Sequence, residues 1–253
     1  MDAPSSGPAA ARASLPWTAA RALALAGSVA AVALLAASGP GTRLGAWPWQ
    51  TGFALMVWAA WSAMASGGLA LALLAMSVLP RWRAPGVPLL ALCFALAALA
   101  PPLIFRSEAR HVPPIHDIST DTQDPPAFVA LLPQREKSPN GAAYGGEAVA
   151  VKQRAAYPDI RPLLLSMPPR EAMQRAIDAA RAMGWEIAAS DARDGRIEAT
   201  ARTPWFGFRD DVVVRIRAQG TGSRVDVRSV SRVGVSDVGA NAARVREFLR
   251  RLA

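Results

Sequence analysis

Ten polar residues have the types and spacing for binding or acid–base chemistry: Asp117, Asp210, Asp211, Arg228, Ser229, Arg232, Ser236, Asp237, Asn241 and Arg244. Seven of them fall in the stretch Arg228-Ser229-Val230-Ser231-Arg232-Val233-Gly234-Val235-Ser236-Asp237-Val238-Gly239-Ala240-Asn241 and at Arg244 just beyond it. That stretch runs off a predicted strand and into a predicted helix. In a binding site, the helix N-terminal amides, Ser229, Arg232 and Asn241 would favour an anionic group. In an enzyme, Asp117, Asp210, Asp211 or Asp237 would act as acid or base. In a purely structural role, Ser236 or Asp237 caps the helix and Arg232 pairs with Asp210 or Asp211. Asn241 would then hydrogen-bond the backbone of the turn Arg232–Ser236. The structural role is preferred, because an acidic cap competes with an anion for the same amides.

Other chemistry has less support. The two histidines are His111 and His116. His116-Asp117 with Ser119 has the residue types of a hydrolase triad, but the sequence has no Gly-x-Ser-x-Gly elbow. Phosphate-loop and dinucleotide fingerprints are also missing. The single cysteine, Cys93, excludes an intrachain disulfide framework and a multi-thiolate zinc site. No metal or cofactor is expected.

The elements that must position these residues follow from periodicity. After Pro168 and Pro169, residues Ala172, Met173, Ala176, Ile177, Ala180 and Met183 recur at helical spacing, and Gly184 closes the segment. Strand patterns cover 185–190, 196–202, 211–218 and 224–231. A Gly-rich turn, Gln219–Ser223, joins the last two. A final helix is expected from Val238 to Leu252, with Val238, Ala242, Val245, Phe248, Leu249 and Leu252 on its apolar stripe. Residues 161–253 therefore form an α+β soluble domain, an antiparallel sheet with two helices on one face. The other strand faces carry Arg196, Glu198, Thr200 and Arg202, then Asp211, Arg215 and Arg217, then Arg224, Asp226 and Arg228. Cross-strand ion pairs are the simpler expectation there, and a shallow anion- or headgroup-binding surface the alternative. Residues 106–160 are Pro-rich and are expected as an extended stretch wrapping the domain, with a mobile loop near 134–150.

Residues 1–105 differ sharply. Charge-free runs from Ala22 to Thr42, Leu44 to Pro80 and Ala84 to Phe105 support helices near 20–38, 53–79 and 86–105, each near the ~20 residues a membrane span needs or longer. Ala59, Ala63 and Gly67 recur at a spacing that lets helix backbones approach closely, but an Ala-rich span contains such spacings by chance, which is the simpler expectation. The fold class is thus a membrane anchor of three transmembrane α-helices plus the α+β domain. Arg12 and Arg21 before the first helix, with Arg81 and Arg83 in the second loop, place those segments in the cytoplasm. The domain then lies outside it. Cleavage of the first helix as a signal peptide near Ala36-Ala37-Ser38 would leave that side unchanged.

The net charge of +9 divides into +4 over residues 1–105 and +5 beyond. Without a concentrated basic tail, a solvated arginine-rich surface is favoured over a nucleic-acid partner. Arginine-over-lysine usage and abundant Ala fit a GC-rich bacterial genome.

Three phrases are distinctive: Pro-Pro-Ile-His-Asp-Ile-Ser-Thr-Asp from Pro113, Trp-Phe-Gly-Phe-Arg-Asp-Asp from Trp205, and the stretch from Arg228 already described. Over roughly residues 110–253 the chain resembles bacterial domain-of-unknown-function family 1499, in its membrane-anchored form. The resemblance implies no activity and no catalytic residues. The expectation is a multi-pass inner-membrane protein with a periplasmic, non-catalytic module. Its partners would be the lipid bilayer and an envelope protein or an anionic lipid or polymer. A hydrolase acting on envelope material and a structural subunit of a membrane complex are the alternatives.

Overall fold

The computed structural model describes residues 15–80 and 84–253; Arg12, Arg81 and Arg83, on which the orientation argument leans, lie outside the described residues. The chain divides into two compact units, Met1–Ile104 and Phe105–Ala253.

The charge-poor front third forms helices α1 (Leu15–Arg43), α2 (Trp49–Met76) and α3 (Gly86–His111). All three are long and apolar enough to cross a membrane. α1 and α3 extend beyond the spans expected near 20–38 and 86–105, whereas α2 starts before the expected residue 53 and ends before the expected residue 79. On α2 the buried residues are Gly52, Ala59, Ala63, Ser66, Gly67, Ala70 and Leu73. From Ala59 onward, Ala59, Ala63, Ser66, Ala70 and Leu73 follow steps of four and three, with Gly67 beside Ser66, and make one seam where small side chains let backbones meet. The seam meets Ala24 and Ala91 at one level, and Ala31 and Ala98 at another. Ser28 Oγ donates to Ser66 Oγ across the α1–α2 contact at 3.0 Å. A Cβ at Gly41 would collide with the Trp47 ring, which folds back over the end of α1. Leu23, Trp58, Trp61, Leu71 and Leu96 point outward from the bundle.

In the second unit, the Pro-rich segment contains β1 (Asp117–Ser119), α4 (Leu132–Glu136) and α5 (Gly146–Ala156). Two short helices therefore occupy much of the stretch expected as a mobile loop. β2 (Leu163–Leu165), α6 (Pro169–Ala182), β3 (Glu186–Asp191), β4 (Arg196–Arg202), β5 (Arg209–Gln219), β6 (Gly222–Ser231) and α7 (Ala240–Leu252) follow. The strands form one antiparallel sheet in the order β1-β6-β5-β4-β3, and β2 continues the β1 edge along β6. Gln219 pairs with Gly222, so only Gly220 and Thr221 make the turn.

Alternation gives the sheet two unlike faces. Ile197, Ala199, Val212, Val214, Ile216, Val225 and Val227 form the apolar face, covered by α6 and α7. Trp185 stacks on Phe248 there, with ring centroids 4.9 Å apart. Glu198, Thr200, Asp211, Asp226 and Arg228 lie on the other face and are also buried. Residues 120–145 cover it, anchored by a small core of Phe128 and Leu131 on Val213 and Val230. The segment's few apolar groups leave most of its attachment to charged side chains.

Candidate functional site

The sheet separates the candidate residues. Asp117, Asp211, Arg228 and Arg232 lie with the covering segment, whereas Asp210, Ser229, Asn241 and Arg244 lie with α7.

On the covered face, Arg228 donates to both carboxylate oxygens of Asp117, from Nε at 3.0 Å and Nη2 at 2.8 Å. Nη1 also donates to Pro126 O and Nη2 to Ala142 O. The guanidinium lies against Phe128 and Tyr144, 5.5 and 5.4 Å from the ring centroids. Burial, reinforced by the Asp117 charge, pushes the Tyr144 hydroxyl up to about 12. Asp211 accepts two bonds from Arg232, at 2.9 and 2.8 Å, and one from Thr200 Oγ1 at 2.8 Å. Sequence reasoning offered Asp210 or Asp211 as the Arg232 partner; the structure selects Asp211.

Arg135, which the sequence did not single out, is fully buried and donates to Asp211, Val230 O and Gly141 O. Burial lowers its pKa despite the pull of Asp211. In the sequence, Glu198 is one charge on an outer strand face. It is 1% exposed, and accepts the N–H groups of Val129, Ala130 and Leu131 at 2.9, 3.0 and 2.8 Å. Asp226, fully buried, accepts from Arg215, Arg217 and Arg224. Burial works against ionisation of neighbouring Asp121, yet N–H donors from Asp124 and Gln123, with Arg224 and Arg215, hold its carboxyl below the usual range. An open cleft of about 380 Å³ beside Asp121 contains two opposed ion pairs, Arg154–Glu147 and Arg224–Asp121.

On the α7 face, Asn241 is fully buried. Its Nδ2 donates to His116 O and Ser231 Oγ, each at 3.0 Å, and its Oδ1 accepts from Ser229 Oγ at 2.7 Å and from Arg244. The side chain is satisfied, but by strand β6 and the entry to β1 rather than by the expected turn Arg232–Ser236. Asn140 holds that turn instead, through Nδ2 donating to Ser231 O and Gly234 O. Arg244 Nη2 donates to Asp210 at 2.6 Å.

The helix starts later than the sequence pattern implied. Val238 and Gly239 have φ of 52° and 81°, so helical geometry begins at Ala240. Positive φ is an outlier for a β-branched residue. Asp237 still caps from upstream, accepting the N–H of Gly239 at 2.8 Å and of Asn241 at 2.9 Å. Burial raises its carboxyl above the ordinary value against those two bonds, and the nearby Asp210 charge adds to the rise. Ser236 Oγ accepts the Val238 N–H. Ser119 Oγ donates to Asp121 O, and Asp117 is held by Arg228, so the His116-Asp117-Ser119 grouping does not form a relay. Among the described residues no His, Cys, Asp and Glu cluster could hold a metal.

A family model described as Protein of unknown function (DUF1499) matches residues 117–252. The chain belongs to this family. The DUF1499 span opens at the first residue of β1 and closes at the last residue of α7. It therefore takes in the whole sheet, the covering segment and both charged networks, and leaves out the three apolar helices. No protein of curated function matches the chain.

Proposed function

We propose that this protein is a multi-pass bacterial inner-membrane protein whose DUF1499 domain is a non-catalytic periplasmic module, binding an anionic envelope component or a membrane-proximal protein. The observation that carries this reading is the pairing of the buried carboxylates. Asp117, Asp210, Asp211 and Asp226 each bond to arginine, and Glu198 is committed to backbone N–H groups. Carboxylates held in this way fasten a fold and are poorly placed to move protons. The outward apolar side chains of the helix bundle support insertion in lipid, where they would face acyl chains.

The test uses the full chain in zwitterionic nanodiscs, titrated with an anionic envelope polymer over a range of salt. Binding that weakens as salt rises supports the reading. No binding at any salt, together with no membrane protein partner retained by the domain and lost on its deletion, would overturn it.

Asp237 favours a second reading, an envelope hydrolase. Among the described residues it is the candidate acid without an arginine partner, and burial raises its pKa. Turnover of an envelope substrate that Asp237→Asn abolishes, while folding is retained, would establish it.

A further inference from the structure

The cleft beside Asp121 lies between the bend 120–123, which follows β1, and helix α5, with Pro162 and Arg224 also on its walls. Its volume of about 380 Å³ falls in the range of small-ligand sites, ~300–1,000 Å³. Two arginines line it, and they are held in different ways. Arg224 is fixed. Its Nε donates to Asp226 Oδ1 at 3.0 Å and its Nη2 to Asp121 Oδ2 at 2.6 Å. Asp226 is fully buried, and Asp121 is itself tied by the N–H groups of Gln123 and Asp124, at 3.0 and 2.9 Å. Among the described residues nothing bonds Nη1 of Arg224, so a positioned donor group is left for a ligand with little further ordering cost.

Arg154 is held loosely. Its Nη2 donates to Glu147, and its Nη1 to Thr122 Oγ1 at 3.2 Å. The Arg154 and Glu147 side chains are 48% and 73% exposed. An ion pair this exposed contributes little to stability and exchanges partners readily. Glu147 loses little on letting go, because it stays in the first turn of α5, where the helix N-terminus favours a negative charge. The Thr122 hydroxyl accepts from Arg154 and keeps its own hydrogen to donate.

We propose that this cleft is the anion site of the domain, that its ligand is a small carboxylate, and that Glu147 is a built-in competitor which the ligand displaces from Arg154. The inference rests on the reading of the domain as an anion-binding module, and names the site. A planar carboxylate matches the fork of a guanidinium and takes up the donor that Glu147 vacates. The Thr122 hydroxyl and Arg224 Nη1 supply the further donors of the cleft. Charge sets the ligand class. Arg224 is matched by Asp121 and Asp226, so displacement of Glu147 leaves one unmatched positive charge, on Arg154. That suits a monoanion. A phosphate dianion would bring its second charge towards Asp121 and Asp226, where like charges repel.

The test is calorimetric titration of the full chain in zwitterionic nanodiscs. The probes are N-acetyl-alanyl-alanine and glucuronate, a peptide carboxylate and a sugar carboxylate, with the C-terminal amide of the former and inorganic phosphate as controls. The expected result is saturable binding of one or both carboxylates and none of the amide, the tighter carboxylate identifying the source. Arg154→Gln should weaken that binding by on the order of tenfold or more. Glu147→Gln should tighten it roughly two- to fivefold, because the competing carboxylate is gone; an ion pair with a purely structural role would give no gain. Phosphate binding more tightly than either carboxylate, or a Glu147→Gln variant that fails to bind more tightly, would overturn the inference. Failure of both carboxylates while an anionic envelope polymer still binds would overturn this inference alone. Failure of the polymer too, with no protein partner retained by the domain, would overturn the module reading with it.

Discussion

Glu198→Ala should detach the segment that covers the polar face of the sheet. The carboxylate accepts three backbone N–H groups at the start of α4, from a residue that is 1% exposed. Leu131 is buried, so its orphaned N–H costs about 1–3 kcal/mol. Val129 is 54% exposed and Ala130 is exposed too; their N–H groups recover water and lose about 0.5–1.5 kcal/mol each. The sum is roughly 2–6 kcal/mol, which raises the open population of the segment about thirty- to twenty-thousandfold. Fully buried Arg135 lies next to this clamp, and trypsin reaches it only when the segment opens. Cleavage after Arg135 in the full chain should accelerate by that factor, because cleavage of a rapidly opening segment follows its open population. Glu198→Gln keeps one acceptor oxygen and should cost less, about 1–2 kcal/mol. If Glu198→Ala leaves cleavage at Arg135 at the wild-type rate, the clamp does not exist as described.

Asn241→Leu should lower domain stability by about 1–3 kcal/mol in denaturant unfolding, because Ser229 and Ser231 lose partners that no apolar group replaces. Asp237→Ala should lose about 1 kcal/mol through two uncapped N–H groups at the head of α7. Both tyrosines, Tyr144 and Tyr157, are raised, primarily by burial, Tyr144 to about 12; tyrosinate absorbance should therefore rise well above pH 10 in the folded chain and near pH 10 once unfolded. A raised folded pKa means that this stability is complete below pH 10 and is lost as pH climbs towards 12; Tyr144→Phe should flatten that alkaline loss. A reporter active only outside the cytoplasm should work when fused after Ala253 and stay silent at Arg83.

The apolar face was legible because Ile197, Val212, Val214, Val225 and Val227 alternate with polar residues, and α6 and α7 carry matching stripes. Alternation says nothing about what covers the opposite face. There the covering segment lacks periodicity, and its attachments join residues distant in sequence: Leu131 with Glu198, Arg135 with Asp211, Asp117 with Arg228. Arg135 sits between Gln134 and Glu136 like any surface arginine, so no local signal marks it as buried. The start of α7 was misplaced because Val238 fits the helical stripe, and its left-handed backbone is imposed by the turn that brings Asp237 over the helix end. The sequence marks the polar stretch as one unit, but a single segment supplies both faces of a strand, so Arg228 and Ser229 belong to different networks.

The central claim is that the buried carboxylates are structural partners of arginine. Asp117 and Arg228 test it most directly, their side chains being 4% and 3% exposed. Hydrogen exchange of the β5 amides of Val212, Val213 and Val214, measured in the full chain, reports opening of the domain. Asp117→Asn or Arg228→Met alone leaves a buried charge without its partner, costing about 3–5 kcal/mol and speeding exchange by on the order of a hundredfold or more. The double variant Asp117→Leu with Arg228→Met should recover most of that protection. Single variants that exchange like the wild type would contradict the claim and make these residues candidates for a functional site again.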